Sequence, residues 1–489
     1  MGQQNAPSPQ LFGLPAQGPP TTFVNLQGLH FDPVTAIDIY FDSTHLASTT
    51  TDKTGSFGNG VVTANGATWT RLQIPSTALP GQHTITAKER VGQQSAQIAF
   101  LVRTDWPQYH FDVQHTGLNP FENVLSPATV GSLTLAWKYT MDSTFVARSS
   151  PVVANGVVYI GNYISDDNHS GALYALNATT GALVWKYTGG GITSSPAVAN
   201  GVVYVGTWDQ NVYAFNASTG ALLWKYRTGY LVESSPAVAN GVVYVGSDDH
   251  NLYALNATTG ALLWKYSGTV GSPAVANGVV YIGSSGSLYA LNVSTGAFLW
   301  KYTTNGGSET GPGTPAVVNG SVYFGADDGY FYALNASTGA PLWVDYLVYS
   351  LPPYGCADPA VANGVVYTDC WDKNDHFMYA LDAATGGWRW QLGYAVNSPA
   401  VANGAIYVGS GDYLYVLDAS TGALLWNYTT GGVVETVPAV VNGMVYIASD
   451  DGNVYAFGLP NQQMLGEFSA RERPDPAPLK PDWDPPLKK

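Results

Sequence analysis

The sequence is poor in charge, poor in cysteine and free of long apolar runs. Charged residues make up 11% of its 489 residues, against a typical share of about 25%, which is low for a cytosolic enzyme. The net charge of −15 excludes a nucleic-acid surface, because such surfaces need clustered Lys and Arg. No apolar run approaches the roughly 18 residues of a membrane span. The two cysteines, Cys356 and Cys370, are not adjacent.

What the chain does contain indicates a turn-rich, all-β protein. It has 55 glycines, 32 tyrosines and 14 tryptophans, and its 45% hydrophobic content suffices for large cores. The length allows two or three domains. The opening MGQQNAPSPQ is not a signal peptide. Two interpretations stay open: an exported mature form was given an initiator Met, or the protein stays inside the cell.

One segment recurs along the chain, for example SSPAVANGVVYVGSDDHNLYALNATTGALLWKY at 234–266. SPAVA and GVVYVG flank an Asn-Gly turn, which is a strong hairpin signal because both turn residues need positive φ. NLYALN alternates with the period of a strand. ATTG turns the chain, and ALLWKY is a fourth strand. Four antiparallel strands in about 40 residues describe one blade of a β-propeller.

The copies can be counted by the proline that opens each inner hairpin. These prolines are Pro151, Pro196, Pro236, Pro273, Pro315, Pro359, Pro399 and Pro438. The last copy, VYAFGLPN at 454–461, lacks a tryptophan strand, whereas LTLAWKY at 133–139 lies upstream of the first proline. We predict an eight-bladed propeller over 133–461, closed by strand 133–140, since closure removes open sheet edges. The tryptophans predicted to dock between blades are Trp137, Trp185, Trp224, Trp264, Trp300, Trp343, Trp390 and Trp426.

The repeat resembles the tryptophan-docking motif A-x-D-x-x-T-G-x-x-x-W of the pyrroloquinoline-quinone (PQQ)-dependent dehydrogenases. The same repeat occurs in non-enzymatic propellers, including the lipoprotein scaffold of the outer-membrane β-barrel assembly machinery. The resemblance implies a PQQ-like propeller but not quinone binding. In the dehydrogenases the quinone is stacked between a tryptophan and a vicinal disulfide, beside calcium and a catalytic Asp. This chain lacks a Cys-Cys pair and long insertions, so a propeller without quinone is favoured.

The rest of the chain divides into four segments. Residues 21–103 contain short predicted strands, and LPGQHTITA at 79–87 resembles the closing hairpin of bacterial immunoglobulin-like surface domains. An immunoglobulin-like β-sandwich is predicted there. Residues 104–132 form a lead-in linker that resembles the segment before such propellers in secreted bacterial proteins. Residues 1–20 and the proline-rich tail 462–489 are predicted to be flexible, with a partner-binding tether as the alternative for the tail.

Two sets of side chains have metal-ligand chemistry. His110, Asp112 and His115 lie at close spacing, but zinc needs three or four converging ligands and no second cluster completes the site. The acidic turns SDDHN (247–251), ADDGY (326–330) and SDDGN (449–453) suit calcium but lack the full ligand set of a calcium loop. We expect these Asp residues to cap turns, with weak calcium binding as the alternative. No cofactor is predicted.

The insertions in the repeat point to one face of the propeller. The ANG and ATTG turns barely change, whereas the other turns carry insertions at 162–171, 305–313, 347–356 and 370–377. In a propeller these connections share one face, which we term the insertion-bearing face. Its aromatic and acidic residues suit a protein partner, a cationic segment or a sugar. They are Trp208, Asp209, Tyr230, Glu233, Asp248, Asp249, His250, Glu309, Asp327, Asp328, Tyr354, Trp371, Asp372, Asp450 and Asp451.

Eight asparagines match the N-x-S/T glycosylation pattern. Most of them belong to the recurring turn, which explains them without glycans. In a glycosylating host they would be exposed acceptors. They are Asn168, Asn177, Asn216, Asn256, Asn292, Asn319, Asn335 and Asn427.

Cys356 and Cys370 flank the sixth inner hairpin, YGCADPAVANGVVYTDCWD. A three-residue loop, Ala362-Asn363-Gly364, would place the cysteines directly opposite each other, whereas a two-residue Asn-Gly turn would leave them diagonal. Opposed Cβ atoms lie about 4.5–5.5 Å apart, which suits a bridge. We predict a disulfide and therefore an oxidising, extracytoplasmic setting. Two free buried thiols are the alternative.

Two functions of different class follow. The first is a non-catalytic, extracellular or cell-surface propeller that binds a protein or glycan partner or scaffolds an assembly. Its sandwich and its ends would join it into an oligomer or filament. The second is an enzyme, quinoprotein-like or hydrolytic, with its site in the central funnel. The insert loops carry no recognisable catalytic constellation, so the first function is favoured.

Overall fold

The computed structural model describes residues 8–58, 61–62, 68–142, 148–164, 170–306, 312–347, 355–371, 376–393 and 397–460. Within these ranges the regular structure is β-strand, apart from one short 3-10 helix, Val130–Ser132. The predicted all-β class is therefore confirmed. In the same ranges no helix combines the length and the apolar character needed to cross a bilayer.

The N-terminal region forms two sheets, with strand orders β1-β3-β7-β6 and β2-β9-β8-β4-β5. Buried residues from both sheets, such as Leu26, Ile39 and Phe100, form one hydrophobic cluster. The region is therefore a two-layer sandwich. Its strands are β1 (Gln10–Leu14), β2 (Gln17–Gly18), β3 (Phe23–Leu29), β4 (Ala36–Phe41), β5 (Thr44–Thr50), β6 (Val61–Val62), β7 (Thr68–Gln73), β8 (Gly81–Glu89) and β9 (Ser95–Val102).

The prediction that residues 1–20 are flexible is wrong from Gln10 onward. β1 pairs with β3, and β2 pairs in parallel with β9, so this stretch contributes one strand to each layer. Leu11 is buried in the shared core. The composition, rich in Gln, Pro and Gly, does not indicate these two short strands, because pairing with β3 and β9 stabilises them. Residues 1–7 lie outside the described ranges.

Beyond the sandwich, the described residues form eight sheets with the four-strand order expected of the repeat. Two strands precede them, β10 (Leu118–Asn119) and β11 (Thr134–Thr140). Sheet 1 contains β12 (Val152–Ala154), β13 (Val157–Tyr163), β14 (Ser170–Asn177) and β15 (Leu183–Gly190); sheet 2 contains β16 (Ala197–Ala199), β17 (Val202–Gly206), β18 (Asn211–Asn216) and β19 (Leu222–Arg227); sheet 3 contains β20 (Ala237–Ala239), β21 (Val242–Ser247), β22 (Asn251–Asn256) and β23 (Leu262–Ser267); sheet 4 contains β24 (Ala274–Ala276), β25 (Val279–Ser284), β26 (Ser287–Asn292) and β27 (Phe298–Thr303).

The remaining sheets follow the same plan. Sheet 5 contains β28 (Ala316–Val318), β29 (Ser321–Gly325), β30 (Tyr330–Asn335) and β31 (Pro341–Tyr346); sheet 6 contains β32 (Gly355–Cys356), β33 (Ala360–Ala362), β34 (Val365–Trp371), β35 (His376–Asp382) and β36 (Trp388–Leu392); sheet 7 contains β37 (Ala400–Ala402), β38 (Ala405–Ser410), β39 (Tyr413–Asp418) and β40 (Leu424–Thr429); sheet 8 contains β41 (Ala439–Val441), β42 (Met444–Ser449) and β43 (Asn453–Gly458). β10 adds in parallel to β37.

The sheets are arranged in a propeller-like ring. Each inner strand contacts the inner strand of the next sheet, and β12 of sheet 1 contacts β41 of sheet 8. β11 completes sheet 8 by pairing antiparallel with β43, which places Lys138 opposite Tyr455. The outer strand of the last sheet therefore comes from a segment that precedes the first sheet.

The repeat tryptophans lie between adjacent sheets. Trp137 donates its indole Nε1–H to the carbonyl of Ala178, in the recurring turn of the next sheet, at 2.9 Å. Trp426 packs edge-on against Phe457 instead, since the turn motif is absent after β43. Bonds equivalent to that of Trp137 are made by Trp185, Trp224, Trp264, Trp300, Trp343 and Trp390.

Residues 106–119, which we term the axial segment, run past the inner strand of every sheet in order. Trp106 exchanges two backbone hydrogen bonds with Val153 of sheet 1, and the Asn119 side chain donates to the Val440 carbonyl of sheet 8 at 2.8 Å. Between them the segment accepts the amide hydrogens of Val198, Val238, Val275, Val317, Val361 and Val401. The predicted linker is therefore an axial plug that satisfies the open edges of the inner strands.

Candidate binding funnel

A cavity of about 520 Å³ lies on the axis of the ring. Its floor is formed by Tyr109 of the axial segment and by the residue that precedes each repeat proline. Its walls include Asp327, Asn397 and Glu435, which lie in connections of the insertion-bearing face, and Trp371, the last residue of β34. The cavity is therefore a funnel toward that face. The residues before the prolines, which we term the floor ring, are Ser150, Ser195, Ser235, Ser272, Thr314, Asp358, Ser398 and Val437.

Hydrogen bonds connect the floor ring from sheet to sheet. The amides of Ser150, Ser195 and Ser235 each donate to the hydroxyl of the next serine, at 2.9, 2.9 and 3.0 Å. Val437 of sheet 8 donates to the Ser150 hydroxyl at 2.9 Å and so carries the chain of bonds into sheet 1. Each of these four serines is fixed by its neighbour, because its oxygen accepts a buried amide hydrogen.

Asp358 is the only carboxylate of the floor ring. Its Oδ2 accepts the Tyr109 hydroxyl at 2.8 Å, and its Oδ1 accepts the Thr314 amide at 2.7 Å. Burial raises the pKa of Asp358, although these two hydrogen bonds act to lower it. Burial and the Asp358 charge raise the pKa of the Tyr109 hydroxyl well above its ordinary value. The two side chains are therefore hydrogen-bonded to each other at the base of the funnel.

A disulfide between Cys356 and Cys370 lies in the funnel wall. The two residues pair directly, as do Gly355 and Trp371. A Cβ on Gly355 would approach Trp371 Cζ2 to 2.7 Å, so the indole lies against the Gly355 backbone. The bridge therefore fixes the strand that presents Trp371, and Trp371 in turn stacks with His376 at 6.0 Å.

The predicted three-residue turn of the sixth inner hairpin is wrong. The inner hairpin of sheet 6 has the two-residue turn Asn363-Gly364, because Ala362 pairs with Val365 and Val361 with Val366. That turn alone would leave the cysteines diagonal. They are opposed because β32 and β33 are separate strands and the chain between them, Ala357 to Pro359, shifts the register by one residue.

The funnel rim carries opposite charges. Arg148 Nε lies 3.7 Å from Glu435 Oε2, and both side chains are largely exposed. Glu233 lies near both Arg148 and Asp248; burial and the Asp248 charge raise the pKa of Glu233. Burial likewise raises the pKa of Asp248. Raised pKa values show that Glu233 and Asp248 are partly removed from water. Together with Arg148 they make the rim a polar and partly desolvated surface.

Four of the predicted face residues are structural. Asp249 accepts the Tyr253 hydroxyl at 2.5 Å and the amides of Gly229 and Asn251. Burial acts to raise the pKa of Asp249, but these hydrogen bonds lower it. The carboxylates of all four residues cap turns, as the sequence predicted. The other members, which bond a tyrosine hydroxyl in the same way, are Asp209, Asp328 and Asp451.

Of the predicted face residues, Asp327 and Trp371 line the funnel. Trp208 donates its indole N–H to Thr193, a lining residue, at 3.0 Å. Tyr230 is 52% exposed. Glu309, Tyr354 and Asp372 lie outside the described ranges, as does Asn168 among the glycosylation candidates. The floor ring was not predicted, although its signal, a polar residue before seven of the eight repeat prolines, is visible in the sequence.

The His110–Asp112–His115 group lies within the axial segment. The Asp112 carboxylate accepts the Gln114 and Thr116 amides and the Thr116 hydroxyl, so it caps a turn. His110 and His115 are each 1% exposed. Desolvation lowers the pKa of each imidazole to about 3. Across the described residues, no three His, Cys, Asp or Glu side chains converge as a metal site would require.

The asparagines of the recurring turn also act as caps. Asn256 Oδ1 accepts the Thr258 and Thr259 amides at 3.0 and 2.9 Å, which is the Asx-turn geometry. Asn177, Asn216, Asn292 and Asn335 make the same bonds. Turn chemistry therefore accounts for these five residues.

Comparisons with known proteins agree with this fold. The family described as "Outer membrane protein assembly factor BamB" matches residues 169–391 and 374–459. Quinohemoprotein alcohol dehydrogenase from Comamonas testosteroni is 27% identical over 108 residues, which cover 22% of this chain and only 14% of that protein's length.

Solved structures give the same result over a larger part of the chain. Quinohemoprotein alcohol dehydrogenase from Pseudomonas putida HK5 aligns with a TM-score of 0.62 and 18% identity, over 77% of this chain and 82% of that chain. BamB from Moraxella catarrhalis aligns with a TM-score of 0.55 and 20% identity, over 67% of this chain and 99% of that chain. At these identities the likeness concerns the fold alone. The predicted PQQ-like propeller repeat is confirmed at this level.

Proposed function

We propose, from the premise that the chain belongs to the family described as outer membrane protein assembly factor BamB, that it is a non-catalytic binding and scaffolding propeller. In this proposal the protein is an eight-bladed PQQ-like propeller that follows an immunoglobulin-like sandwich. It lies outside the cell or at the cell surface. It binds a protein or glycan partner and takes part in a larger assembly or filament. The relation to a family named for protein assembly supports the scaffolding part.

The funnel is the observation that carries this proposal. The axial segment seals the floor through the Tyr109–Asp358 bond, and the walls rise to the turns of the insertion-bearing face. A polar cavity closed at one end presents a concave surface to a partner on that face. The Cys356–Cys370 disulfide supports an oxidising, extracytoplasmic setting.

The funnel residues do not fit a quinone cofactor. Its lining holds four carboxylates, Asp327, Asp358, Asp369 and Glu435, against one guanidinium, Arg148. Pyrroloquinoline quinone itself carries several carboxylates, so the lining would repel it. The disulfide joins residues 14 positions apart and is not the vicinal pair of the quinone enzymes. Because both cysteines are in that bond, neither is left to attach a haem covalently.

A quinoprotein-like or other enzyme with its site in the funnel is the second candidate. It is favoured by one observation, that a disulfide and a tryptophan, Trp371, line the same cavity. The alignments with quinohemoprotein alcohol dehydrogenases are compatible with it.

The deciding experiment uses protein purified from its native source. Absorbance and intact mass should reveal no bound quinone, and alcohols should not reduce an added electron acceptor. Purified protein should bind to source cells that have been stripped of their own copy. Trp208→Ala and Trp371→Ala should weaken this binding, whereas Asn216→Ala on the opposite turns should not. Stoichiometric quinone with alcohol oxidation would establish the enzyme instead.

A further inference from the structure

The floor ring offers hydrogen-bond donors to the funnel. Ser195, Ser235 and Ser272 each use the hydroxyl oxygen to accept a neighbouring amide, and Ser150 does so toward Val437. A hydroxyl is both acceptor and donor. Within the part of the chain described, none of these four O–H groups donates to a protein acceptor. The ring therefore presents O–H donors that a ligand or water must satisfy.

The walls supply acceptors and an apolar surface. Glu435, Asp327 and Asp369 line the cavity above the ring, and Trp371 lines one wall. The Cys356–Cys370 bridge and the stack on His376 restrain that indole. The cavity therefore has hydrogen-bond donors on its floor, acceptors on its walls and one aromatic wall. Its volume of about 520 Å³ lies in the range of small-molecule sites.

The charge and hydrogen-bond inventory discriminates among ligand classes. Four carboxylates against one guanidinium give the lining a formal charge of −3 with His376 neutral, which disfavours anions. A simple cation would pair with the carboxylates but would leave the serine O–H donors without acceptors. A polyhydroxylated ligand pairs with both sets, because each of its hydroxyls donates and accepts. The faces of a sugar ring carry C–H groups that pack against an indole.

We infer that the funnel binds a neutral saccharide, one or two sugar units long, with its hydroxyls on the floor ring and one sugar face on Trp371. The inference rests on the proposed binding function and names its ligand class. The saccharide enters from the insertion-bearing face, because the axial segment closes the other end.

The test is titration calorimetry with the full chain against glucose, galactose, N-acetylglucosamine and their 1,4-linked disaccharides. Spermidine and citrate serve as cationic and anionic probes. At least one saccharide should bind with a stoichiometry of one. Trp371→Ala and the double variant Ser195→Ala/Ser235→Ala should each weaken it about tenfold, equivalent to about 1.4 kcal/mol. Ser195→Thr/Ser235→Thr retains both hydroxyls and should restore affinity, and Ser218→Ala on the opposite turns should leave it unchanged.

Each other outcome overturns the inference in a distinct way. Binding of spermidine with no saccharide response assigns the funnel to cations and leaves the binding function standing. If no probe binds but the protein still binds stripped source cells, the partner surface lies outside the funnel. Saccharide binding that Trp371→Ala and the serine variants leave unchanged places the sugar elsewhere on the chain. Bound quinone with alcohol oxidation removes the proposed function itself.

Discussion

The Tyr109 hydroxyl donates to Asp358 Oδ2 at 2.8 Å, although 249 residues separate the two positions. Asp358 also accepts the Thr314 amide through Oδ1. One carboxylate thus joins the axial segment, sheet 5 and sheet 6. This group connects the plug, which closes the ring axis, to the floor of the funnel. The fold and the candidate site therefore depend on the same buried contact.

Tyr109→Phe should destabilise the protein by about 1–3 kcal/mol, because it leaves a buried carboxylate oxygen without its donor. Urea denaturation measures the change. Tyr230→Phe is the matched control: Tyr230 is 52% exposed, so its change should stay within about 0.5 kcal/mol. Equal losses in the two variants would contradict a structural role for the Tyr109–Asp358 bond.

The axial segment can be tested at Gly117, which packs closely against sheet 6. Gly117 has φ +66°, and a Cβ there would lie 2.6 Å from Ala360 Cβ. Gly201 has φ +76° with no atom within 4 Å of its added Cβ. Gly201→Ala should cost about 1–2 kcal/mol from backbone strain alone. Gly117→Ala should cost about 1–3 kcal/mol more from overpacking, as measured by thermal unfolding. Equal costs would mean that the segment does not pack against sheet 6.

The repeat made much of the fold predictable, because its periodicity and turn residues act locally. An inner hairpin closed by an Asn-Gly turn follows from SPAVANGVVYVG alone, and the turn asparagines have the positive φ that this requires. The pairing of β11 with β43 was predicted because the last copy lacks a tryptophan strand. The strands at Gln10–Leu14 and Gln17–Gly18 were not predicted, since they are stabilised by pairing with residues far along the chain.

The funnel was less predictable than the fold. Trp371 and Asp327 were selected because insertions mark a variable face. Tyr109 and Asp358 were not, since nothing near either residue in sequence shows that they meet. The cysteine register also depended on the break between β32 and β33, which interrupts the regular pairing of the hairpin. Residues brought together by ring closure and by the axial segment leave no local pattern.

His110 and His115 should make stability fall in acid. Desolvation lowers the folded-state pKa of each to about 3, from 6.5. The unfolded chain therefore binds more protons below pH 6.5, and stability is lost progressively from there toward pH 3. Each histidine contributes about 1.4 kcal/mol per pH unit. Buried carboxyls with raised pKa, such as Glu122, act in the opposite direction.

The variant His110→Gln/His115→Gln isolates this effect from that of the carboxyls. Its stability relative to the unmodified protein should rise steadily as pH falls from 6.5 to 4 in urea denaturation. A difference that does not change with pH would show that the imidazoles are already protonated or are solvated in the folded protein.

Removing the disulfide should cost about 2–4 kcal/mol and loosen the wall that presents Trp371. Cys356→Ala/Cys370→Ala should lower the melting temperature and alter tryptophan fluorescence. Alkylation of denatured, unreduced protein from the native source should add no label, and reduction should allow two. Two labels without reductant would remove both the bridge and the main argument for an extracytoplasmic setting.

The closing strand should be more sensitive to disruption than an equivalent strand elsewhere in the ring. Tyr139 of β11 pairs with Val454, and Tyr226 of β19 pairs with Val212 in the same register of sheet 2. Proline at either position removes a ladder hydrogen bond, because these amides face the partner strand, as the Met141 and Thr228 amides two residues further on do. Tyr139→Pro also detaches the strand that joins the two ends of the ring, which exposes the edge of β43. It should therefore lower the melting temperature further than Tyr226→Pro and produce oligomers in light scattering, whereas Tyr226→Pro should stay monomeric. Identical behaviour of the two variants would show that ring closure does not depend on β11.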